Sequence, residues 1–109
     1  MHVLVTGGSG FIGRHVVRQL VDAGHTVQVV DLVPFPDPEI SCLVGDLRDR
    51  AIAEQAVTSD VDAVIHLAAI TRVLLSIEDP DNVYLTNVAA THYLLERCRE
   101  LGVLRFVLA

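Results

Sequence analysis

The stretch Thr6-Gly7-Gly8-Ser9-Gly10-Phe11-Ile12-Gly13 constrains this chain more than any other. It follows a short, largely apolar and β-branched run, His2-Val3-Leu4-Val5-Thr6. It opens a segment in which Ile12, Val16, Val17, Leu20 and Val21 recur at helical spacing. Gly8, Gly10 and Gly13 satisfy G-x-G-x-x-G, and Gly7, Gly10 and Gly13 satisfy G-x-x-G-x-x-G. Between a strand and a helix each glycine has a mechanical reason. The early ones permit a tight turn, Gly10 lets backbone approach a pyrophosphate, and Gly13 lets the helix lie close on the sheet. Unpaired N–H groups at the helix start, with the positive end of its dipole, then hold the phosphates. By itself such a pattern also fits a structural turn. Asp31, 18 residues after Gly13 and at the end of the next strand, adds the second half of the argument, because its carboxylate can accept both hydroxyls of an adenosine ribose. That carboxylate repels a 2′-phosphate, and Leu32 and Val33 follow it with no arginine close by, so the pattern points to NAD over NADP.

The remainder of the chain repeats the strand-then-helix alternation. Thr26-Val27-Gln28-Val29-Val30-Asp31 reads as a second strand, and Pro34, Pro36 and Pro38 make 32–40 a loop. Ser41-Cys42-Leu43-Val44 is a short third strand closed by Gly45. Asp49 can cap a modest helix whose apolar face carries Ile52, Ala53, Ala56 and Val57. A fourth strand covers 63–67. Asp79-Pro80 opens the longest helix, expected to reach about Leu101 with Gly102 as its stop, and a fifth strand covers 104–108. The expectation is an α/β fold: one Rossmann-type domain over 1–109, a doubly wound parallel sheet of about five strands in the order 3-2-1-4-5. Its ligands should lie beyond the carboxyl ends of strands 1 to 4, at the switch point between strands 1 and 4.

Composition narrows the partners. Fourteen acidic residues stand against eight basic ones, all arginine, for a net charge of −6. Without a basic tract the chain is ill suited to nucleic acid, whose binding draws most of its affinity from phosphate neutralisation. No stretch approaches the roughly 20 apolar residues of a membrane span. The start carries no basic-then-apolar leader, so a cytoplasmic location is expected. Cys42 and Cys98 form no Cys-x-x-Cys pair and read as free buried thiols. Gly8 and Gly13 have P-loop spacing, but Arg14-His15 replaces the Lys-Ser/Thr that holds phosphate and magnesium. His66 reads as a buried structural residue. Asp60 and Asp62 read as solvated loop carboxylates, Asp79 and Asp81 as a helix start, and Tyr84 and Tyr93 as packing residues on the long helix.

Four motifs in order carry a family resemblance: TGGSGFIG after strand 1, Asp31 after strand 2, Gly45-Asp46-Leu47 after strand 3 and His66-Leu67-Ala68-Ala69 after strand 4. With Ser76–Pro80, Thr86–Thr91 and Leu94–Ala109 they cover essentially the whole chain. Together they resemble the extended short-chain dehydrogenases/reductases, and within them the NAD-dependent nucleotide-sugar epimerases and dehydratases of the UDP-glucose 4-epimerase type. The resemblance implies cofactor contacts from Gly7, Ser9, Gly10 and Gly13, with Phe11 and Ile12 against the pyrophosphate. It places Asp31 and Leu32 beside the adenosine ribose, and Asp46 and Leu47 at the adenine. Leu67, Ala68 and Ala69 would line the groove towards the nicotinamide ribose, with Thr71 just beyond, Thr86 at a cofactor-contacting position on the long helix and Asn87 beside it. It also implies a nucleotide-sugar substrate and a homodimer packed through helix 80–101, whose apolar stripes are Tyr84, Val88, Leu95 and Cys98, and Leu94 with Leu101. Ala90, Leu32 and Thr71 depart from residues common in the family.

The same resemblance places a Ser/Thr after strand 5 and a Tyr-x-x-x-Lys further on, where the tyrosine is the base and hydride passes to and from the nicotinamide. The chain contains no lysine, so Tyr84 and Tyr93 cannot form that motif. The 109 residues are thus expected to be the N-terminal, NAD-binding part of such an enzyme, with no metal and no catalytic residue of their own, and inactive alone. Two alternatives stand beside this: a non-catalytic dinucleotide-binding or redox-sensing module, and an NADP-dependent carbonyl reductase of the same superfamily.

Overall fold

The apolar run near the N-terminus becomes the central strand of the sheet. In the computed structural model, which describes residues 1–109, β1 (His2–Thr6) pairs in parallel with β2 (Thr26–Asp31) on one side and β4 (Ala63–His66) on the other. β3 (Ser41–Val44) lies outside β2 and β5 (Arg105–Leu108) outside β4, giving the order β3-β2-β1-β4-β5. The register sets Val5 against Val29 and Ile65, so the three inner strands end together. Their carboxyl ends form a single edge, where the ligand residues were expected.

Why β1 is apolar at nearly every position follows from its two neighbours above and below the sheet. Leu4, with Val30 and Val64, faces Ala53 and Ala56 of α2 (Arg50–Ala56) and Ala90, Leu94 and Cys98 of α5 (Ala90–Leu101). Val3 and Val5, with Val27 and Val29, face Val17 of α1 (Phe11–Asp22) and Phe35 of the proline-rich loop. A strand covered on both faces cannot alternate polar and apolar residues. Phe35 is anchored further by Arg18, whose guanidinium sits 5.9 Å from the ring centroid.

The helix ends follow the cap chemistry. The Asp49 carboxylate accepts from the Ala51 amide at 3.0 Å. The Asp79 carboxylate accepts from the Asn82 amide at 3.2 Å and starts α4 (Pro80–Tyr84). Gly102 ends α5 in the left-handed region with φ +74°, where a β-carbon is disfavoured.

Several details differ from the sequence reading. The long helix is not uniform: α4 passes through a π turn (Leu85–Ala89) into α5. A short helix, α3 (Val73–Glu78), precedes it where no element was expected. The fourth strand stops at His66 and the fifth begins at Arg105, each one residue short of the sequence reading; the Leu67 amide is shared between the Thr6 carbonyl and hydroxyl, and the Leu104 side chain points into solvent. The expected stripe of Tyr84, Val88, Leu95 and Cys98 also splits. Cys98 is buried with Ala90 and Leu94, while Tyr84, Val88 and Leu95 are exposed; the π turn shifts the helical phase between Tyr84 and Cys98. Tyr84 therefore does not pack, whereas Tyr93 rests against the core. Cys98 is a buried free thiol as read, pushed upward in pKa by burial, and Cys42 is free but only partly buried. Asp62 is not merely solvated, since its carboxylate accepts from the His2 amide at 2.7 Å.

Candidate dinucleotide site

The turn between β1 and α1 is built on two tight approaches. Gly7 has φ +69°, and a β-carbon there would lie 2.8 Å from the Ala68 amide nitrogen, so the turn lies directly on the chain leaving β4. A β-carbon at Gly13 would fall 2.2 Å from the Gly7 carbonyl oxygen and 2.7 Å from the Gly8 α-carbon. The first turn of α1 thus presses on the loop that precedes it. That contact aims the amides of the helix start along the carboxyl edge of the sheet, the arrangement that favours a phosphate.

Along this edge runs a groove of about 370 Å³. Gly7 and Gly10 form its floor, with Val30, Asp31 and Leu32 from the end of β2 and Gly45, Asp46, Leu47 and Arg48 from the end of β3. Leu67, Ala68, Ala69 and Ile70 form the wall beyond β4, and Asn82 and Thr86 come from the long helix. Ten of the residues singled out from the sequence therefore meet in one groove. Ser9, Phe11, Ile12, Gly13 and Thr71 do not line it. Ser9 braces its rim, Phe11 and Ile12 are exposed on the first turn of α1, Gly13 is buried under that turn, and Thr71 is exposed past the wall.

Asp31 is held in place by backbone. Its carboxylate accepts from the Ser9 amide at 3.0 Å and from the Val33 amide at 3.3 Å, while the Ser9 hydroxyl donates to the Val33 carbonyl at 3.0 Å. Each carboxylate oxygen keeps acceptor capacity for a ribose hydroxyl. Asp46 is more committed than the sequence suggested. Arg48 donates to both of its carboxylate oxygens, from Nε at 3.1 and 2.9 Å and from a terminal nitrogen at 2.5 Å, and its backbone amide adds a fourth bond at 2.9 Å. The Arg48 guanidinium holds the Asp46 carboxyl below the usual carboxylate range. The other arm of Arg48 donates to Oδ1 of Asn82 at 2.5 Å, bridging the β3 loop to α4 across one end of the groove.

Behind the opposite wall lies a buried polar chain. His66 is 2% exposed, with Nδ1 2.5 Å from the Thr6 hydroxyl and Nε2 2.8 Å from the Thr91 hydroxyl. Phe106 on β5 packs edge-on against the ring, and no charged side chain bonds to it. Burial alone lowers its pKa, so the ring is neutral at pH 7. The Thr6 hydroxyl also accepts from the Leu67 and Ala68 amides, both at 3.1 Å. Asn87 pairs with Ile70 through two bonds of 2.8 Å, Oδ1 accepting from the amide and Nδ2 donating to the carbonyl. Sequence reasoning had Asn87 and His66 as neighbours of the site; it missed Arg48, Ile70, Asn82 and Val30, which have no motif of their own. A basic residue two positions after Asp46 was the one available signal for Arg48.

No group of three or more metal-ligating side chains is present, and no helix is long and apolar enough to cross a membrane. The donor set fits a dinucleotide: a glycine turn that a β-carbon would fill, a helix start, a backbone-braced carboxylate and an apolar wall, all on one groove.

Comparison with known proteins agrees with that geometry. A family model described as the NAD dependent epimerase/dehydratase family matches residues 3–109. The UDP-glucose 4-epimerase of Haemophilus influenzae is 33% identical over 98% of this chain and 36% of its own length. The 3 beta-hydroxysteroid dehydrogenase/Delta 5-->4-isomerase of Mycobacterium tuberculosis is 37% identical over 96% of this chain and 30% of its own. Among solved structures, the UDP-glucose 4-epimerase of Thermus thermophilus in complex with NAD superposes with a TM-score of 0.87 at 38% identity, covering 97% of this chain and 36% of that one. The chain spans about a third of the length of the curated relatives it matches.

Proposed function

This chain belongs to the NAD-dependent epimerase/dehydratase family, and from that premise we propose that it is the NAD-binding part of an enzyme that oxidises a nucleotide-sugar carbon transiently, leading to epimerisation or dehydration. The observation that carries the reading is the convergence of Gly10, Asp31, Asp46, Ala68 and Thr86 on one groove at the carboxyl edge of the sheet.

The residues divide the work by position. Gly7, Gly10 and the helix start, with Phe11 and Ile12 beside it and Gly13 beneath it, receive the pyrophosphate; Ser9 braces Asp31 through its amide. Asp31 and Leu32 take the adenosine ribose, and Asp46 and Leu47 the adenine. Leu67, Ala68 and Ala69, with Thr71 just past them and Thr86 across the groove, exclude water along the nicotinamide side. NAD, when bound, supplies the hydride acceptor. The chain has no lysine, so the family's tyrosine–lysine pair is not among these 109 residues, and we infer that they bind the cofactor without turning over substrate. Dimerisation through 80–101 belongs to the same reading and is supported by the exposure of Tyr84, Val88 and Leu95 on that run.

A second reading is favoured by one observation, the 37% identity to the hydroxysteroid dehydrogenase/isomerase. There the hydride would leave as NADH instead of returning to the substrate. Calorimetric titration with NAD tests the binding claim, and no binding at millimolar NAD sinks it. Incubating the intact protein with NAD and UDP-glucose, while following sugar configuration and NADH absorbance, separates the two chemistries. Epimer or dehydrated sugar without NADH supports the first reading, and stoichiometric NADH supports the second.

A further inference from the structure

Proton counting fixes the state of the buried chain behind the groove. A hydroxyl has one proton to give. The Thr91 hydroxyl donates its own to the Asn87 carbonyl at 2.8 Å, so it can only accept from His66, and Nε2 carries the ring proton. Nδ1 is then a bare acceptor, and the Thr6 hydroxyl must donate to it. That leaves both lone pairs of Thr6 for the Leu67 and Ala68 amides, which fill them. No buried side-chain polar atom is left without a partner. The run therefore starts on the Leu67 and Ala68 amides, passes Thr6, His66 and Thr91, and reaches Asn87, whose side chain grips Ile70. It begins and ends on the same wall of the groove.

Each bond in such a run polarises the next, and a half-satisfied version is worse than an apolar one. We propose that His66 is a positioning residue for the cofactor: its neutral Nε2–H ring, reaching neither cofactor nor substrate, keeps Thr6 turned as a double acceptor and so sets the line of the Leu67, Ala68 and Ile70 backbone along the nicotinamide half of the groove. The adenosine half is braced separately, by Ser9 on Asp31 and by Arg48 on Asp46. Disturbing the His66 run therefore affects one half of the ligand only.

This rests on the dinucleotide reading above, and the test separates the two. Wild-type protein is titrated with NAD and with AMP, alongside His66→Phe, His66→Asn, Thr6→Val and Thr6→Ser, each checked for native circular dichroism. His66→Phe removes both ring bonds, and Thr6→Val leaves the Ala68 amide unpartnered while the Leu67 amide keeps the Thr6 carbonyl at 3.2 Å. Both are expected to weaken NAD about tenfold, the scale of one unpaired buried donor, while AMP stays within about twofold. Thr6→Ser, which restores the hydroxyl, returns NAD affinity to within about threefold of wild type by the same reasoning. His66→Asn places an acceptor against Thr6 without the Thr91 link, and falls between. Equal weakening of NAD and AMP in the folded variants assigns His66 a general structural role and overturns the proposal. So does unchanged NAD affinity in His66→Phe or, should that variant not fold, in His66→Asn. Wild-type protein that binds neither ligand refutes the dinucleotide reading itself.

Discussion

Two opposed effects meet in the substitution Gly13→Ala. Inside a helix, alanine is favoured over glycine by about 1 kcal/mol, through lower backbone entropy in the unfolded chain. Against this stands the loop beneath α1. The new β-carbon would sit 2.2 Å from the Gly7 carbonyl oxygen, 2.7 Å from the Gly8 α-carbon and 2.9 Å from the Gly8 carbonyl carbon. All three atoms are backbone, so no rotamer change relieves them. Reaching ordinary contact at 3.4 Å needs about 1.2 Å of movement between the helix start and the turn, an overpacking strain of about 1–3 kcal/mol. The strain equals or exceeds the propensity gain, and the expected net loss of stability is about 0–2 kcal/mol.

Binding should suffer more than stability. The displaced atoms are the turn and helix start to which the proposed function assigns the pyrophosphate, where charge-assisted hydrogen bonds would contribute about 1.5–3 kcal/mol each. Losing one of them raises the NAD dissociation constant about 10- to 100-fold. Gly10→Ala is the control, since its β-carbon would be 3.3 Å from the Gly7 carbonyl oxygen, a contact that needs only a few tenths of an ångström of relief. Stability within about 1 kcal/mol of wild type is expected there, as for an ordinary helix-cap change. Urea denaturation and calorimetric NAD titration read both quantities. A Gly13→Ala protein that gains stability and binds NAD within twofold of wild type would refute the argument that close helix–loop packing builds the phosphate site.

The other predictions follow from the groove and the buried chain. Asp31→Asn keeps the shape and one acceptor but removes the charge; NAD binding is expected to weaken about tenfold and the preference over NADP to shrink, and parallel titrations giving an unchanged NAD/NADP ratio would count against the ribose assignment. Arg48→Met frees Asp46 and breaks the bridge to Asn82, so NAD and AMP should weaken together, about two- to fivefold by the usual worth of partly exposed charged contacts; an AMP affinity equal to wild type would show that the bridge does not shape the adenine end. For His66, burial places the folded pKa below the ordinary value of 6.5. The unfolded ring then protonates first as pH falls, so this residue's stabilisation is complete above pH 6.5 and is lost as pH falls through the lowered folded value, at a slope of up to about 1.4 kcal/mol per pH unit. Urea midpoints between pH 8 and 5 should show this acid limb in wild type and a shallower one in His66→Phe.

Local chemistry and distant pairing differ in how far a sequence exposes them, and this chain shows both. The glycine turn is legible because its requirements are steric and close at hand: φ at Gly7, contact at Gly13 and an acid at the end of the next strand are all set within 31 residues. The sheet order was legible for a related reason, since apolar runs alternating with helical ones leave few right-handed parallel arrangements. The phase of the long helix was not. One π turn moves Tyr84 out of the stripe that buries Cys98, and nothing in the pattern of Leu85–Ala89 announces it. Nor was the bridge from Arg48 to Asn82, 34 positions apart, nor the run joining Thr6 to His66 and Thr91. Each partner there is an ordinary residue that acquires meaning only from a neighbour supplied by another element. Thr6 is the instructive case. As the last residue of a β-branched strand it has a propensity explanation that needs no hydroxyl, and a valine would satisfy that explanation equally well. The hydroxyl is needed because the chain leaving β4 presents the Ala68 amide with no strand carbonyl to bond to, and a Leu67 amide shared with the Thr6 carbonyl, beside a histidine that has an acceptor to fill. The end of the central strand thus serves the neighbouring wall as well as its own sheet, and the place where strand pairing stops is the place where the groove begins.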